Sequence, residues 1–264
     1  MKILFIGGNH PRHLYYANKI HEKFPFSGAI IQIRENLLPE PEPNLEEQDK
    51  QNFVRHFFNR QKLELEYFRQ QKFPSCPILE VDKDKLNTEN STKFVSEIKP
   101  DLVLIFGCSL IKDPLYSSLP QDSINLHLGL SPQYRGSATL FWPFYFMEPN
   151  YAGSTFHYIV SEPDAGDIIH QSIPKLEKND TIHDVACKTI IQSTQDALKL
   201  LKIFNEKKCW QKFFQKGTGK NFLQSDFKPE HLRVIYNIFN DDMVKIYLEG
   251  RLKSKTPSLN KQFQ

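Results

Sequence analysis

Two polar side chains stand two positions apart at the end of an otherwise apolar run. Asn125 and His127 close residues 123–127, and because strand side chains alternate between faces, both lie on one face of the predicted strand. An uncharged amide can donate a hydrogen bond to a developing oxyanion, and an imidazole can donate to it or relay a proton near neutral pH. The alternative is a pair whose hydrogen bonds are satisfied by the neighbouring loop.

A carboxylate follows the next predicted strand, at residues 155–160. That strand ends in the turn EPDAGD at residues 162–167, in which the glycine supplies dihedral angles that other residues avoid. Asp164 could orient the imidazole of His127, favour its protonated form, or accept a proton through water. His157, on the same strand, is interpreted as a structural histidine. A set of this kind needs no covalent nucleophile.

These side chains need a sheet to bring them together, and the apolar pattern predicts one. Short apolar runs at residues 3–6, 28–33, 77–81, 101–106, 123–127, 155–160 and 168–173 predict strands. Helical patterns lie between several of them, including residues 181–204, which open with a capping-box sequence. Alternating strands and helices favour an α/β fold with a doubly wound, mostly parallel, Rossmann-like sheet. Ligands bind beyond the carboxyl ends of such strands.

Two stretches interrupt this alternation. An insertion at residues 35–70 begins as a proline- and glutamate-rich loop and continues as an amphipathic helix with the pairs Phe53/Phe57 and Val54/Phe58. The loop is expected to be solvated. We assign residues 1–210, with this insertion, to a catalytic domain.

The second stretch, residues 211–264, forms a small C-terminal segment with a boundary at residues 216–220. A helix at residues 229–239 presents Leu232, Ile235 and Phe239 along one side. So short a segment cannot build its own core, so we expect it to dock on the main domain or to form a homodimer. Residues 250–264 are polar and are expected to fray.

Composition excludes several classes of protein. The 264 residues are 39% hydrophobic and 25% charged with a net charge of +3, which gives no electrostatic support for nucleic-acid binding. The longest apolar runs are far shorter than a membrane span, and no signal-peptide core follows Lys2. The four cysteines have no disulfide or zinc spacing, and His127, His157, His170 and Asp164 match no metal-ligand motif. We therefore expect a soluble cytoplasmic protein without a metal.

The order of motifs resembles the folate-dependent formyltransferase family, and most of all its sugar N-formyltransferases. The resemblance is carried by N-x-H at residues 125–127, the loop LSPQYRG at 130–136, and D-x-G at 164–166. It implies that Asn125, His127 and Asp164 are catalytic in transferring a formyl group from 10-formyltetrahydrofolate to an amine. Residues 129–132 read GLSP rather than the family's usual SLLP, which alters the loop but keeps all three positions.

The resemblance also implies where the folate binds, namely between the segment after the fourth strand and the loop that bears Asp164. The implied cofactor-binding residues are Ser109, Leu110, Ile111, Asp164, Ala165 and Asp167. Leu110 and Ile111 could equally be core residues of a strand-to-helix turn. No second catalytic motif competes with this site.

The acceptor is the least determined part of this interpretation. A short C-terminal segment favours a nucleotide-linked amino sugar, with glycinamide ribonucleotide and methionyl-tRNA as alternatives. Backbone donors at Gly8 and Asn9 with the cation of Arg12 could hold its anionic group, although this glycine pair could simply make a tight turn. Arg135 is a weaker candidate, since it could brace its own loop. A non-catalytic α/β ligand-binding protein is the hypothesis from another class.

Overall fold

The computed structural model describes residues 1–215 and 219–263, and their backbone follows the predicted alternation. The strands are β1 (Ile3–Gly8), β2 (Phe26–Gln32), β3 (Ile78–Val81), β4 (Leu102–Phe106), β5 (Ser123–His127), β6 (Tyr134–Gly136), β7 (Ser154–Tyr158), β8 (Ile168–Ser172) and β9 (Lys220–Phe222). Seven of them form one sheet in the order β3-β2-β1-β4-β5-β7-β8. The first five run parallel, while β7 is antiparallel to β5 and to β8. The predicted doubly wound, mostly parallel sheet is confirmed.

Helices cover both faces of this sheet. They are α1 (Pro11–His21), α2 (Glu47–Phe68), α3 (Glu89–Ile98), α4 (Leu115–Ser118), α5 (Trp142–Tyr145), α6 (Ile182–Lys207) and α7 (Met243–Leu248). Alternate residues of β1 enter opposite cores, with Ile3 and Phe5 under α1 and α6, and Leu4 and Ile6 on the α3 side. This alternation follows from the two-residue period of a strand. Burial on both faces explains why the strands are continuously apolar.

The start of α6 is fixed as predicted. The Thr181 backbone N–H donates to the Asp184 carboxylate at 3.0 Å, and the Asp184 N–H donates to Thr181 Oγ1 at 3.3 Å. This reciprocal capping box satisfies donors that an α-helix leaves free at its N-terminus. The longest helix of the described chain therefore begins at a defined point beside the carboxyl edge of the sheet.

The helix predicted in the insertion forms as α2, but its two apolar pairs differ in exposure. Val54 and Phe58 are 53% and 55% exposed, whereas Phe53 is partly buried against the core of the C-terminal segment. The fully buried positions of the helix are mostly polar, among them Asn52 and His56. Asn52 Nδ2 donates to Asn237 Oδ1 at 2.7 Å, and His56 Nδ1 lies 3.0 Å from the Tyr236 hydroxyl. The helix faces the C-terminal segment, and both polar pairs and apolar contacts join the two.

The C-terminal segment packs around its predicted apolar side chains. Leu232 and Ile235 are fully buried in a core that also contains Trp142 and Ile182. Leu232 directly follows a 3₁₀ turn at Pro229–His231, and Ile235 lies in a π turn at Val234–Ile238, so the predicted helix is irregular. Three residues of the predicted boundary, 216–218, lie outside the described residues.

The expectation that the chain end frays is wrong for residues 260–263. The Gln171 N–H donates to the Asn260 carbonyl at 2.8 Å, the Asn260 N–H donates back to Gln171 Oε1 at 3.0 Å, and Phe263 stacks on His170. These contacts cover the outer edge of β8, where unpaired backbone groups would otherwise be exposed. No helix of the described residues is long and apolar enough to cross a membrane.

Candidate active site

Asn125 lies on β5, directly opposite His157 of the antiparallel neighbour β7. Ile124 and Leu126 enter the core under α1 and α6, so Asn125 and His127 share the other face of the strand, as predicted. The Asn125 amide donates to His157 Nε2 over 3.2 Å, and His157 Nδ1 lies 2.9 Å from the Tyr158 carbonyl. An amide nitrogen carries two hydrogens, so Asn125 retains one for a ligand.

His127 is held at both ring nitrogens. Its Nε2 donates to the Tyr134 carbonyl at 2.9 Å, and its Nδ1 lies 3.3 Å from Asp164 Oδ2. Burial lowers the pKa of His127 below its ordinary value, while the negative charge of Asp164 opposes that change. The ring is therefore predominantly neutral at neutral pH, with a carboxylate positioned to stabilise a proton on Nδ1.

Asp164 approaches this pair from the turn after β7, in the left-handed conformation with φ 53°. Its Oδ2 accepts the Gly136 backbone N–H at 3.1 Å, and its Oδ1 lies 3.4 Å from His157 Nε2. Burial acts to raise the pKa of Asp164, but His127, His157 and the Gly136 N–H outweigh it and hold that pKa well below the usual range. Asp164 is accordingly charged throughout the neutral range.

Buried hydrogen bonds fix the loop that follows His127. Thr155 Oγ1 donates to the Gly129 carbonyl at 2.7 Å and accepts the Ser131 N–H at 2.9 Å. Gln171 Nε2 donates to the Ser131 carbonyl at 2.7 Å. The loop thus keeps a defined path, although its sequence departs from the usual family pattern.

A cavity of about 490 Å³, the catalytic cavity, opens onto Asn125, His127, His157 and Asp164. Ser109, Leu110 and Ile111 line it as well, and Leu110 is 44% exposed, which argues against the core alternative for this residue. Ser109 accepts a hydrogen bond from Arg34, and its backbone N–H donates to Gln32. Ala165 and Asp167 continue the turn, where the Asp167 carbonyl accepts the Tyr158 N–H.

A second cavity, of about 660 Å³, adjoins the first and is called here the basic cavity. Its lining includes the cations Arg12, Arg34, Arg60 and Lys83 and the carboxylates Glu35 and Glu64. Arg12, Arg34 and residues 108–110 line both cavities. Four cations against two carboxylates give the basic cavity a positive balance next to the catalytic one.

Arg12 reaches this cavity while paired with a carboxylate. Its Nη1 lies 2.6 Å from Glu64 Oε1, and Arg60 Nε lies 3.1 Å from the same atom. Burial lowers the pKa of Arg12 to about 10, so Arg12 remains charged at neutral pH. One carboxylate against two guanidinium groups leaves one positive charge for a ligand.

The other predicted anion-binding residues lie around the same edge of the sheet. Asn9 accepts the Arg34 backbone N–H at 2.9 Å, and a Cβ on Gly8 would meet the His13 ring at 2.4 Å. Arg135 lies on β6, and its Nε is buried without a hydrogen-bond partner among the described residues. Position 8 therefore has no room for a side chain, as in a tight turn. The positive charge of Arg135 lies close enough to His127 to lower its pKa.

Three residues that line the two cavities were not identified as site residues from the sequence: His157, Arg60 and His183. The alternation of strand side chains gave a usable signal for His157, because it puts this residue on the same face of its strand as Thr155. The antiparallel pairing of β7 with β5 then places it opposite Asn125. Arg60 and His183 come from α2 and from the start of α6 and belong to no motif, so only the packing of those helices brings them to the cavity. Among the described residues, no group of three or more His, Cys, Asp or Glu side chains is placed so that it could hold a metal ion.

Comparison with known proteins agrees with this geometry. The model of the formyl transferase family matches residues 44–198. Methionyl-tRNA formyltransferase of Clostridium tetani is 25% identical over 175 residues, which are 59% of this chain and 56% of that protein. The chain thus spans about half the length of this curated relative.

Solved structures share the fold at lower identity. An N-formyltransferase from Helicobacter canadensis, in complex with folinic acid and dTDP-3-aminofucose, has TM-score 0.56 and 17% identity, covering 97% of this chain and 84% of its own. The formyltransferase PseJ from Anoxybacillus kamchatkensis, in complex with a UDP-linked formamido sugar and tetrahydrofolate, has TM-score 0.52 and 20% identity over 93% and 97%. Phosphoribosylglycinamide formyltransferase from Anaplasma phagocytophilum has TM-score 0.57 and 19% identity over 84% and 97%.

Proposed function

The chain belongs to the formyl transferase family, and from that premise we propose that it transfers a formyl group from 10-formyltetrahydrofolate to the amino group of a small anionic acceptor. The observation that carries this proposal is the convergence of Asn125, His127 and Asp164 on one cavity. Their donors and acceptors match the two needs of the reaction, which are stabilisation of an oxyanion and removal of a proton from the amine.

Asn125 is proposed to stabilise the oxyanion. One of its amide hydrogens is used by His157, which fixes the orientation of the group, and the second is free to bind the formyl oxygen as charge develops there. A donor held in place before the reaction costs no reorganisation during it. Loss of one such donor lowers turnover by about 10²–10³-fold.

His127 and Asp164 are proposed to act together on the proton of the attacking amine. Burial keeps His127 neutral and therefore able to accept a proton, and Asp164 stabilises the imidazolium that results. The amine N–H bond breaks as the new carbon–nitrogen bond forms. The proton then returns to the folate nitrogen that departs, so the pair ends the cycle in its starting state.

The catalytic cavity is proposed to hold the folate. Leu110 and Ile111 offer apolar surface for a flat ring. Ser109 and Asp164 line the same cavity, and they are proposed to bind the polar edge of the folate with the neighbouring residues Ala165 and Asp167. Folate supplies the formyl group when bound, and these residues are proposed to hold it beside Asn125.

The acceptor is proposed to be a nucleotide-linked amino sugar whose phosphates bind in the basic cavity. The surplus of cations there supports an anionic ligand, whereas Gly8 and Asn9 are not among the residues that line this cavity. Two of the solved structures with a similar fold are complexes with nucleotide-linked sugars. Glycinamide ribonucleotide is anionic too and remains the second candidate, and methionyl-tRNA is the third.

We further propose a cytoplasmic homodimer. Ile238 and Leu248 of the C-terminal segment are 69% and 48% exposed, which leaves apolar surface for a second copy. The four cysteines are all free thiols, as suits a reducing compartment. Sedimentation should show twice the chain mass, and a monomer across the working concentration range would refute the dimer.

The test of function is an acceptor screen. The purified protein is mixed with 10-formyltetrahydrofolate and, in separate reactions, with nucleotide-linked amino sugars, glycinamide ribonucleotide or methionyl-tRNA. Tetrahydrofolate should appear only when an accepted amine is present, most rapidly with an amino sugar. Ligand binding without turnover in every reaction would favour a non-catalytic binding protein instead.

A further inference from the structure

Gln215 holds the turn that carries Asp164. Its Nε2 donates to the carbonyl of Asp164 at 2.9 Å and to that of Gly166 at 2.6 Å. Gln215 lies beyond residues 44–198, where the family match ends. A side chain from the C-terminal segment therefore contacts the backbone of a proposed catalytic residue.

This turn needs such support because its backbone is unfavourable. Asp164 has φ 53°, a left-handed conformation that is unfavourable for residues other than glycine. At Gly166 a Cβ would lie 1.8 Å from the Tyr158 carbonyl, so the chain is pressed against β7. Residues in such conformations persist only when their surroundings hold them, and Gln215 supplies two hydrogen bonds.

The C-terminal segment also contacts β6, which supports the His127–Asp164 pair from the other side. β9 aligns with β6 through Tyr134–Lys220 and Gly136–Phe222. β6 in turn provides the Tyr134 carbonyl that accepts from His127 and the Gly136 N–H that binds Asp164. Residues on both sides of 216–218 thus touch the elements that hold His127 against Asp164.

We propose that Gln215 is a positioning residue that keeps Asp164 within reach of His127 during formyl transfer. The inference deepens the proposed function and rests on it for the chemistry. The groups facing His127 are Asp164, whose charge raises its pKa, and His157 and Arg135, which lower it. If the turn loosens, Asp164 withdraws, the attraction weakens, and His127 holds its proton less strongly.

The first test does not depend on turnover. The pKa of the His127 imidazole is measured by nuclear magnetic resonance titration of histidine-labelled protein, with the signal assigned by its loss in His127→Gln. Gln215→Met keeps roughly the length of the side chain and removes the donor without adding a charge. We expect the proton affinity of His127 to fall about three- to tenfold, a drop in pKa of roughly 0.5–1, whereas Gln211→Ala on the same segment leaves it unchanged.

The second test uses turnover. Gln215→Met and Gln215→Ala should lower kcat about tenfold with little change in the acceptor KM, and the pH limb governed by His127 should move to lower pH. An unaltered His127 titration in Gln215→Met would overturn the proposal, as would a fall in melting temperature without a shift of that limb. If the wild type shows no formyl transfer, the proposed function fails, while the titration still decides the role of Gln215.

Discussion

The two adjoining cavities differ in how their charged and polar side chains are paired. In the catalytic cavity, Asn125, His127 and Asp164 each have partners within the protein. In the basic cavity, four cations face two carboxylates, and Arg12 and Arg60 share Glu64. The first cavity holds its three polar side chains in place before substrate arrives, and the second has a surplus of positive charge that an anionic ligand can neutralise.

This difference is the basis for the separate roles we propose for the two cavities. A surplus of cations around a cavity favours an anionic ligand there. Preorganised groups stabilise a transition state without moving. Substitutions in the catalytic cavity should therefore lower kcat, whereas those in the basic cavity should raise the acceptor KM.

The largest effects are expected for Asn125→Ala and His127→Ala. Each should lower kcat by at least about 10²-fold with a modest change in KM, because oxyanion stabilisation or proton transfer is lost while binding is retained. Steady-state kinetics with melting temperature as a folding control checks this. Near wild-type turnover in either variant would remove its assigned role.

A smaller effect is expected for Arg12→Ala, which removes one of the two cations around Glu64. The acceptor KM should rise roughly tenfold or more, as for loss of a charge-assisted hydrogen bond worth about 1.5–3 kcal/mol, while kcat changes little. Arg60→Ala is the matched variant from α2. A rise in KM for Arg60→Ala alone would move the anion site from the first turn to the helix of the insertion.

The smallest expected effect concerns the wall of the basic cavity, where the Ile182 N–H donates to Asp241 Oδ1 at 3.0 Å. Burial raises the pKa of Asp241 to about 6, against the opposing Ile182 hydrogen bond and the charge of Arg55. The folded state therefore holds the proton more tightly than the unfolded state does. The stability of the wild type falls as pH rises from about 4 to 6 and stays lower above that range.

Asp241→Asn tests this because asparagine keeps the acceptor and tolerates φ 60°. The variant should be more stable than the wild type by about 1 kcal/mol at pH 7–8, and the difference should vanish near pH 4. Denaturant unfolding at both pH values measures it. A variant less stable at pH 8 would show that the carboxylate charge stabilises this wall.

How far the sequence predicts the site depends on the range of the interactions. The strand of Asn125 and His127 was predicted with its observed bounds, and the turn of Asp164 followed from its proline and glycine, because both signals are local. Arg60 and Gln215 gave no signal, since their roles arise from helix packing and from a segment remote in sequence.

The errors have a related origin. The period of α2 identified its apolar residues, but Val54 and Phe58 among them face solvent, while polar residues such as Asn52 are buried against the C-terminal segment. The polar chain end was expected to fray, yet Gln171 and Asn260 pair through backbone and side-chain groups that composition does not reveal. Polar pairing between distant segments is what a single sequence shows least.

Following the formyl carbon tests most directly whether Asn125 and His127 catalyse the transfer of a formyl group to an amine. With 10-formyltetrahydrofolate labelled at that carbon and an accepted amino sugar nucleotide, the wild type should place the label on the amine and release one tetrahydrofolate per product. The Asn125→Ala, His127→Ala double variant should bind both substrates and transfer almost no label. Label released as formate whether or not an amine is present, or transfer by the double variant at the wild-type rate, would contradict the account.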